Sequence, residues 1–64
     1  LEPDDARTRD MLGVVLARQG RLSEAIEQFE LATRLDPAYE AARVHLLKAQ
    51  QVATGTSGRS PAAP

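Results

Sequence analysis

The residues of this chain that could do chemistry are few, and the first to consider is His45, the only histidine of a sequence that has no cysteine. Common transition-metal sites need several imidazole or thiolate ligands, and acid–base catalysis needs a partner group within a pocket. A lone histidine between Val44 and Leu46 on a helix is typical of a surface or boundary residue. We therefore expect no metal site, no cofactor and no catalytic histidine.

The remaining candidates are a serine and two pairs of carboxylates. Ser23 precedes an apolar-periodic segment, where serine commonly serves as a helix N-cap rather than as a nucleophile. The carboxylate pairs are Asp4/Asp5, which belong to a helix start, and Glu24/Glu27, which belong to a solvated helix face. Neither pair has a pocket that would raise a pKa, and no glycine-rich strand-to-helix turn is present to hold a phosphate. The sequence therefore predicts that the protein is not an enzyme.

Length and composition limit the fold class. The 64 residues carry a net charge of −1, and their only aromatic residues are Phe29 and Tyr39. Such a chain favours helices packed through Ala, Leu and Val. It has no Lys/Arg run, no apolar stretch of about 18 residues and no visible signal peptide, so we expect neither nucleic acid nor a membrane as a partner. We expect a soluble, cytoplasmic protein, although the sequence does not establish a compartment.

Two helices are expected in the first half of the chain. The first spans about residues 6–19, with Asp4 or Asp5 as its N-cap and Gly20 as its stop. The second spans about residues 23–35 and has the serine that begins it as its N-cap. Apolar residues recur along this second helix at spacings of three and four and form one face: Leu22, Ala25, Ile26, Phe29, Ala32 and Leu35.

A third helix is expected over about residues 38–53, with Asp36 as its cap and Pro37 at its first position. Residues 54–64 are mostly Gly, Thr, Ser, Pro and Ala, and we expect a disordered tail because such a segment buries little apolar surface. The short links between the helices make neighbouring helices antiparallel.

An internal repeat gives the strongest indication of architecture. Leu1-Glu2-Pro3 recurs 34 positions later as Leu35-Asp36-Pro37. Repeats of this length are typical of stacked helix-turn-helix units, in which one unit cannot bury its apolar face alone.

Between these two segments, residues 6–37 resemble the tetratricopeptide repeat, a 34-residue helix-turn-helix unit that stacks into a solenoid. The family pattern has Leu-Gly in its first helix, then a turn glycine, an alanine, an aromatic residue, an alanine and a proline. Those places hold Leu12-Gly13, Gly20, Ala25, Phe29, Ala32 and Pro37, and Leu16 stands where the family often has tyrosine. Gly13 costs about 1 kcal/mol within a helix, and close packing against the second helix would offset that cost.

The resemblance implies an all-α fold with an antiparallel helical hairpin over residues 6–37, of the α-solenoid type. Arg9 departs from the pattern, because it stands where a large apolar residue is usual, and we expect its aliphatic stem to cover the core. Leu47 stands where a following repeat would have glycine, so residues 38–53 are expected to form a C-terminal capping helix. Residues 1–5 would then be a linker or the end of a preceding repeat. We expect about one and a half repeats from the C-terminal end of a longer array, in a chain that begins at Leu1 rather than Met.

The resemblance also implies a non-catalytic protein–protein interaction module, with a groove for a peptide or a partner helix. By position, ten residues would face this groove: Arg7, Asp10, Met11, Val14, Ala17, Arg18, Val44, His45, Lys48 and Gln51. Family members that clamp a peptide C-terminal carboxylate have Lys and Asn at two groove positions, which here hold Asp10 and Val14. That activity is therefore not expected of this repeat.

The alternative is a structural role, in which the chain self-associates as a homodimer or forms part of a longer helical-repeat array. Exposed apolar residues on the groove, such as Met11 and Val14, would favour a ligand. Exposed apolar area where an earlier repeat would stack would favour assembly. The residues expected to hold the fold are Leu12, Gly13, Leu16, Gly20, Ala25, Ile26, Phe29, Ala32, Leu46 and Ala49.

Overall fold

The computed structural model of the chain describes the backbone of residues 5–59 and the side chains of residues 5–53. It contains three helices: α1 (Ala6–Arg18), α2 (Leu22–Leu35) and α3 (Glu40–Arg59). No strand occurs within the described residues. The predicted all-α fold is confirmed.

The helices run in alternating directions. At one end of the bundle, Ala6 near the start of α1 packs with Ala32 near the end of α2 and Ala42 near the start of α3. At the other end, Ala25 near the start of α2 packs with Ala49, farther along α3. α2 is therefore antiparallel to both of its neighbours, and α1 and α3 lie side by side in the same direction.

The core is built almost entirely from alanine, with one large side chain at its centre. Its buried apolar residues are Ala6, Ala25, Phe29, Ala32, Ala42 and Ala49. Phe29 is buried against Gly13, where an added Cβ would lie 2.5 Å from ring atom Cε1, a separation that Cβ atoms do not tolerate. The glycine inside α1 therefore makes room for the Phe29 ring. Small residues on all three helices let the backbones approach closely.

The start of α1 follows the prediction. The Asp5 carboxylate accepts a hydrogen bond from the Thr8 backbone N–H at 2.8 Å, so it satisfies one of the free amides of the first turn. That bond is the main reason why the pKa of Asp5 lies below its usual value. The alternative cap, Asp4, lies outside the described residues.

The end of α1 is a glycine turn, as predicted. Gly20 has a φ of 83°, in the left-handed region. Its N–H donates to the Ala17 carbonyl at 3.0 Å, and the Arg21 N–H donates to the Leu16 carbonyl at 2.9 Å. These two bonds form a Schellman motif, which satisfies carbonyls that the helix leaves free and turns the chain toward α2.

The predicted N-cap of α2 is wrong. The helix begins at Leu22, and the residue before it, Arg21, makes no capping hydrogen bond with its side chain. The glycine turn brings the chain into helical geometry one residue early, so Ser23 lies inside the first turn. Glu24 places a carboxylate near the positive end of the helix dipole and forms an ion pair with Arg21, and both contacts favour this start.

Both ends of α3 differ from the prediction of residues 38–53. Asp36 accepts a bond from the Ala38 N–H at 3.1 Å through its side chain and from the Tyr39 N–H at 3.0 Å through its carbonyl. These bonds close a turn, so the helix begins only at Glu40. At the other end, the backbone of residues 54–59 stays helical where a disordered tail is predicted. Glycine lowers helix propensity without forbidding a helix, and residues 60–64 lie outside the described part.

Two further residues of α1, Arg9 and Leu12, differ in their exposure. Arg9 is half-buried, and its Nη1 donates to Gln28 Oε1 at 3.0 Å, which joins α1 to α2. Leu12, a predicted core residue, is 41% exposed. Leu12 belongs to neither of the two core clusters of the described residues.

Candidate partner-binding cleft

A cleft of about 340 Å³ runs between α1 and α3, and we call it the α1/α3 cleft. α2 provides its floor, since α2 packs against both walls. Its lining consists of small and apolar residues with a few basic ones: Val14, Ala17, Arg18, Leu22, Phe29, His45, Lys48, Ala49 and Val52.

Each wall of the cleft contributes a small residue beside the Phe29 ring. Ala17 on α1 and Ala49 on α3 both pack in the Phe29 cluster, and their methyl groups are too short to fill the space above the ring. Val14 and Val52 extend the apolar surface along the two walls. The arrangement is an apolar trough that is open to solvent and has a fixed aromatic base.

A partly buried hydrogen bond joins the two walls of the cleft. Asp10 is 4% exposed, and its Oδ1 lies 2.7 Å from Nδ1 of His45. With the proton on Nδ1, the imidazole donates to the carboxylate. The His45 ring also lies against Phe29, with the ring centroids 5.4 Å apart and a tilt of 34°. The bond and the ring contact together fix the position of His45 on the cleft wall.

Cationic side chains border the apolar trough. Arg18 in the last turn of α1 and Lys48 on α3 are exposed and line the cleft. Among the residues with described side chains, neither forms an ion pair, and no Asp or Glu lines the cleft. Arg21 and Arg43, in contrast, pair with Glu24 and Glu40. The cleft is therefore locally positive in a chain whose net charge is −1.

The structure brings half of the predicted groove residues together. Val14, Ala17 and Arg18 line one wall of the cleft, and His45 and Lys48 line the other. These five come from two helices that are far apart in the sequence and parallel in the fold. Together these five residues form part of one continuous surface on the two walls of the cleft.

The other five predicted groove residues lie elsewhere. Asp10 is beneath the surface, bonded to His45. Arg7 borders a separate polar depression of about 300 Å³ at the start of α1. Met11, Val44 and Gln51 are exposed, but they do not line the α1/α3 cleft.

Four lining residues are missed by the sequence prediction. Phe29 and Ala49 are placed only in the core, and Leu22 is assigned only to the apolar face of α2. Val52 follows His45 by seven residues and Lys48 by four, so helical spacing alone identifies it as a neighbour of both. That spacing selects Val52 in place of Gln51, which lies on another face of α3.

The described residues contain neither a cluster of metal-binding side chains nor a membrane-spanning helix. No three of their His, Asp and Glu side chains lie close enough together to hold a metal ion. None of the helices within the described part is both long and apolar enough to cross a membrane.

Comparison with known families decides the identity of the fold. The Tetratricopeptide repeat family model matches residues 6–39, slightly more than half of the chain. The chain belongs to the tetratricopeptide repeat family. α1 and α2 are the two helices of the repeat, and α3 follows as the next helix. The curated proteins and the solved structures give no match.

Family membership gives a general role. Tetratricopeptide repeats are units of protein–protein interaction scaffolds, in which stacked helix pairs create extended concave surfaces. In this protein, the first helix of the tetratricopeptide repeat, α1, lies parallel to the helix that follows the repeat, α3. The α1/α3 cleft is the concave feature between these two helices.

Proposed function

We propose that this protein is a non-catalytic interaction module that holds a peptide or a partner helix in the α1/α3 cleft. The observation that carries the proposal is an apolar trough with a buried aromatic base and polar groups at its rim. This combination is typical of binding sites, because the apolar lining provides affinity and a few placed polar groups provide orientation.

Rigidity of the walls supports the proposal. The Asp10–His45 hydrogen bond crosses from α1 to α3, and Phe29 contacts residues of both helices. A cleft that is already formed has less side-chain and backbone motion to lose when a ligand binds. The walls therefore favour recognition of a short segment without a large rearrangement.

The test is selection of random dodecapeptides, displayed on phage, against the full chain. Val52→Asp places a charge on the cleft wall at a residue that is 53% exposed, so we expect it to fold and to lose binding. Leu47→Asp is the matched control, because Leu47 is a 59% exposed apolar residue of the same helix outside the cleft. Clones that bind the wild type and Leu47→Asp but not Val52→Asp support the proposal. Equal binding to all three proteins contradicts it.

A second candidate function is assembly, and a specific exposed face favours it. Leu12 and Val15 are 41% and 49% exposed on α1. Thirty-four positions later, Leu46 and Ala49 pack against Ala25 and Phe29 of α2. The face of α1 that contains Leu12 and Val15 is therefore equivalent to the face of α3 that packs on α2, and it could pack on another helical unit in the same way. On this alternative, the chain stacks within a longer array or self-associates through this face.

Light-scattering mass after size exclusion, at several concentrations, tests the self-association arm. A dimer that dissociates on dilution and that Val15→Asp abolishes would support self-association through the Leu12/Val15 face. Leu47→Asp again provides the control for an added charge on an exposed apolar position. A monomer at every concentration would eliminate self-association.

A further inference from the structure

We propose that the partner segment recognised by the α1/α3 cleft is acidic: an apolar side chain enters the trough, and neighbouring Asp or Glu side chains contact Arg18 and Lys48. This inference rests on the proposed function and adds the chemistry of the ligand. It commits to side-chain carboxylates within a peptide of another protein.

The first argument is the charge of the rim. Arg18 and Lys48 lie on opposite walls, and neither has an ion-pair partner among the residues with described side chains. Among the described side chains, no carboxylate lines the trough. Two cations that face a shared apolar surface are complementary to carboxylates that flank an apolar residue.

The second argument is the position of Asp10. From the sequence alone, this aspartate would put negative charge on the groove and repel an acidic ligand. In the structure it is 4% exposed and bonded to Nδ1 of His45. The buried carboxylate therefore cannot contact a ligand directly, and the His45 ring lines the cleft in its place. A hydrogen bond from a neutral imidazole leaves the charge of Asp10 unchanged, so one buried negative charge acts against the two cations of the rim, which keep the rim positive.

The third argument is size. The cleft volume of about 340 Å³ lies at the small end of ligand pockets, which hold roughly 300–1,000 Å³. It accommodates one or two side chains of a peptide, and its apolar lining favours a residue such as leucine. Arg18 and Lys48 lie on opposite walls of this one trough, so carboxylates on both sides of the inserted apolar residue fit the rim.

The experiment extends the phage selection. Display at the N-terminus of the coat protein leaves no free peptide C-terminus, so the clones present only side-chain carboxylates. For the wild type, we expect enriched clones to contain an apolar residue flanked by Asp or Glu. Synthetic peptides in which Gln replaces those acidic residues should bind about tenfold more weakly by fluorescence anisotropy, and raising the salt concentration should reduce the difference.

Charge reversal provides the decisive variant. Arg18→Glu with Lys48→Glu should switch the enriched clones from acidic to basic flanks, with the apolar residue retained. Arg34→Glu is the matched control, because Arg34 is an exposed arginine in the last turn of α2 and does not line the cleft. It should select the same acidic clones as the wild type. If the double variant loses its helical melt, Lys48→Gln alone should still weaken the acidic clones.

The outcomes separate this inference from the proposed function. Clones that Val52→Asp abolishes but that show no acidic preference, or that the double variant selects unchanged, would overturn the inference and leave the proposed function standing. Absence of any clone sensitive to Val52→Asp would overturn both. Equally tight binding of single-stranded oligodeoxythymidine would show a general polyanion surface and would also overturn the inference.

Discussion

α1 and α3 occupy equivalent places in the repeat, 34 residues apart, but they differ in what covers them. Leu46 and Ala49 of α3 pack against α2, and Ala49 is 6% exposed. The equivalent residues of α1, Leu12 and Val15, are 41% and 49% exposed. Because the two pairs are similar in character, the difference comes from the neighbouring helix. Among the described helices, α2 packs on the face of α3 that contains Leu46 and Ala49, and no helix packs in the same way on the face of α1 that contains Leu12 and Val15.

A second pair of positions shows the opposite relation. Gly13 of α1 accommodates the Phe29 ring, whereas Leu47, the equivalent residue of α3, is 59% exposed. A glycine is needed only where a second helix packs across the first. The residue at this position therefore indicates whether the helix is followed by a second helix that packs across it. No such second helix follows α3 within the described residues.

The largest expected effect comes from exchanging these two residues. Gly13→Leu would force a side chain into the Phe29 ring, so we expect a loss of about 3 kcal/mol of unfolding free energy even though leucine favours a helix. Leu47→Gly should cost only about 1 kcal/mol, through helix propensity. Thermal melts followed by circular dichroism measure both changes. Similar losses for the two variants would contradict the assigned packing.

The second expected effect concerns the bond between the two compared helices. Asp10→Ala removes the acceptor of the partly buried His45 Nδ1 bond, so we expect the free energy of unfolding, measured by chemical denaturation, to fall by about 2 kcal/mol. Glu40→Ala is the control, because its contact with Arg43 is 3.9 Å long and exposed, and it should cost less than about 0.5 kcal/mol. If Asp10→Ala costs as little as the control, the bond does not hold α3 against α1.

The third expected effect compares the turns that follow α1 and α2. Gly20→Ala should cost about 1 kcal/mol, because φ at Gly20 is 83° and alanine disfavours that region. Gly20→Asn should cost less, since asparagine enters the left-handed region more readily. The turn after α2 has no residue with positive φ, so Ala38→Gly in that turn should not raise the melting temperature. Equal melting temperatures for the wild type and Gly20→Ala would contradict this assignment.

The smallest expected effect compares the starts of α1 and α2. Hydrogen bonding to the Thr8 N–H lowers the pKa of Asp5, so its contribution to stability is present above pH of about 4 and is lost as the pH falls through the folded-state pKa. α2 has no side-chain cap, so no capping carboxylate contributes to a pH-dependent stability at its start. Asp5→Asn should reduce the acid dependence of the melting temperature. An unchanged acid limb in Asp5→Asn would show that Asp5 does not contribute to it.

The sequence predicts the features that depend on neighbouring residues. The Asp5 cap and the Gly20 stop follow from local preferences, and the repeat pattern identifies Gly13 and Phe29 as core residues. The start of α2 is missed because the turn geometry at Gly20, rather than the capping preference of Ser23, sets it.

Three features that depend on distant residues are not predicted. Asp10 and His45 are 35 residues apart, and nothing local to either one indicates that they bond. Leu12 would be buried only if another helical unit packed on that face of α1. Its apolar character alone therefore places it wrongly in the core. The floor of the cleft is likewise visible only once α2 is placed between its two neighbours.

The most direct test of the central claim is an NMR titration of the full chain with a selected peptide. If the α1/α3 cleft binds the partner, the amide chemical shifts that change most should belong to Val14, Arg18, Lys48 and Val52. Changes centred instead on Leu12 and Val15 would contradict the claim and would place the partner on the stacking face of α1.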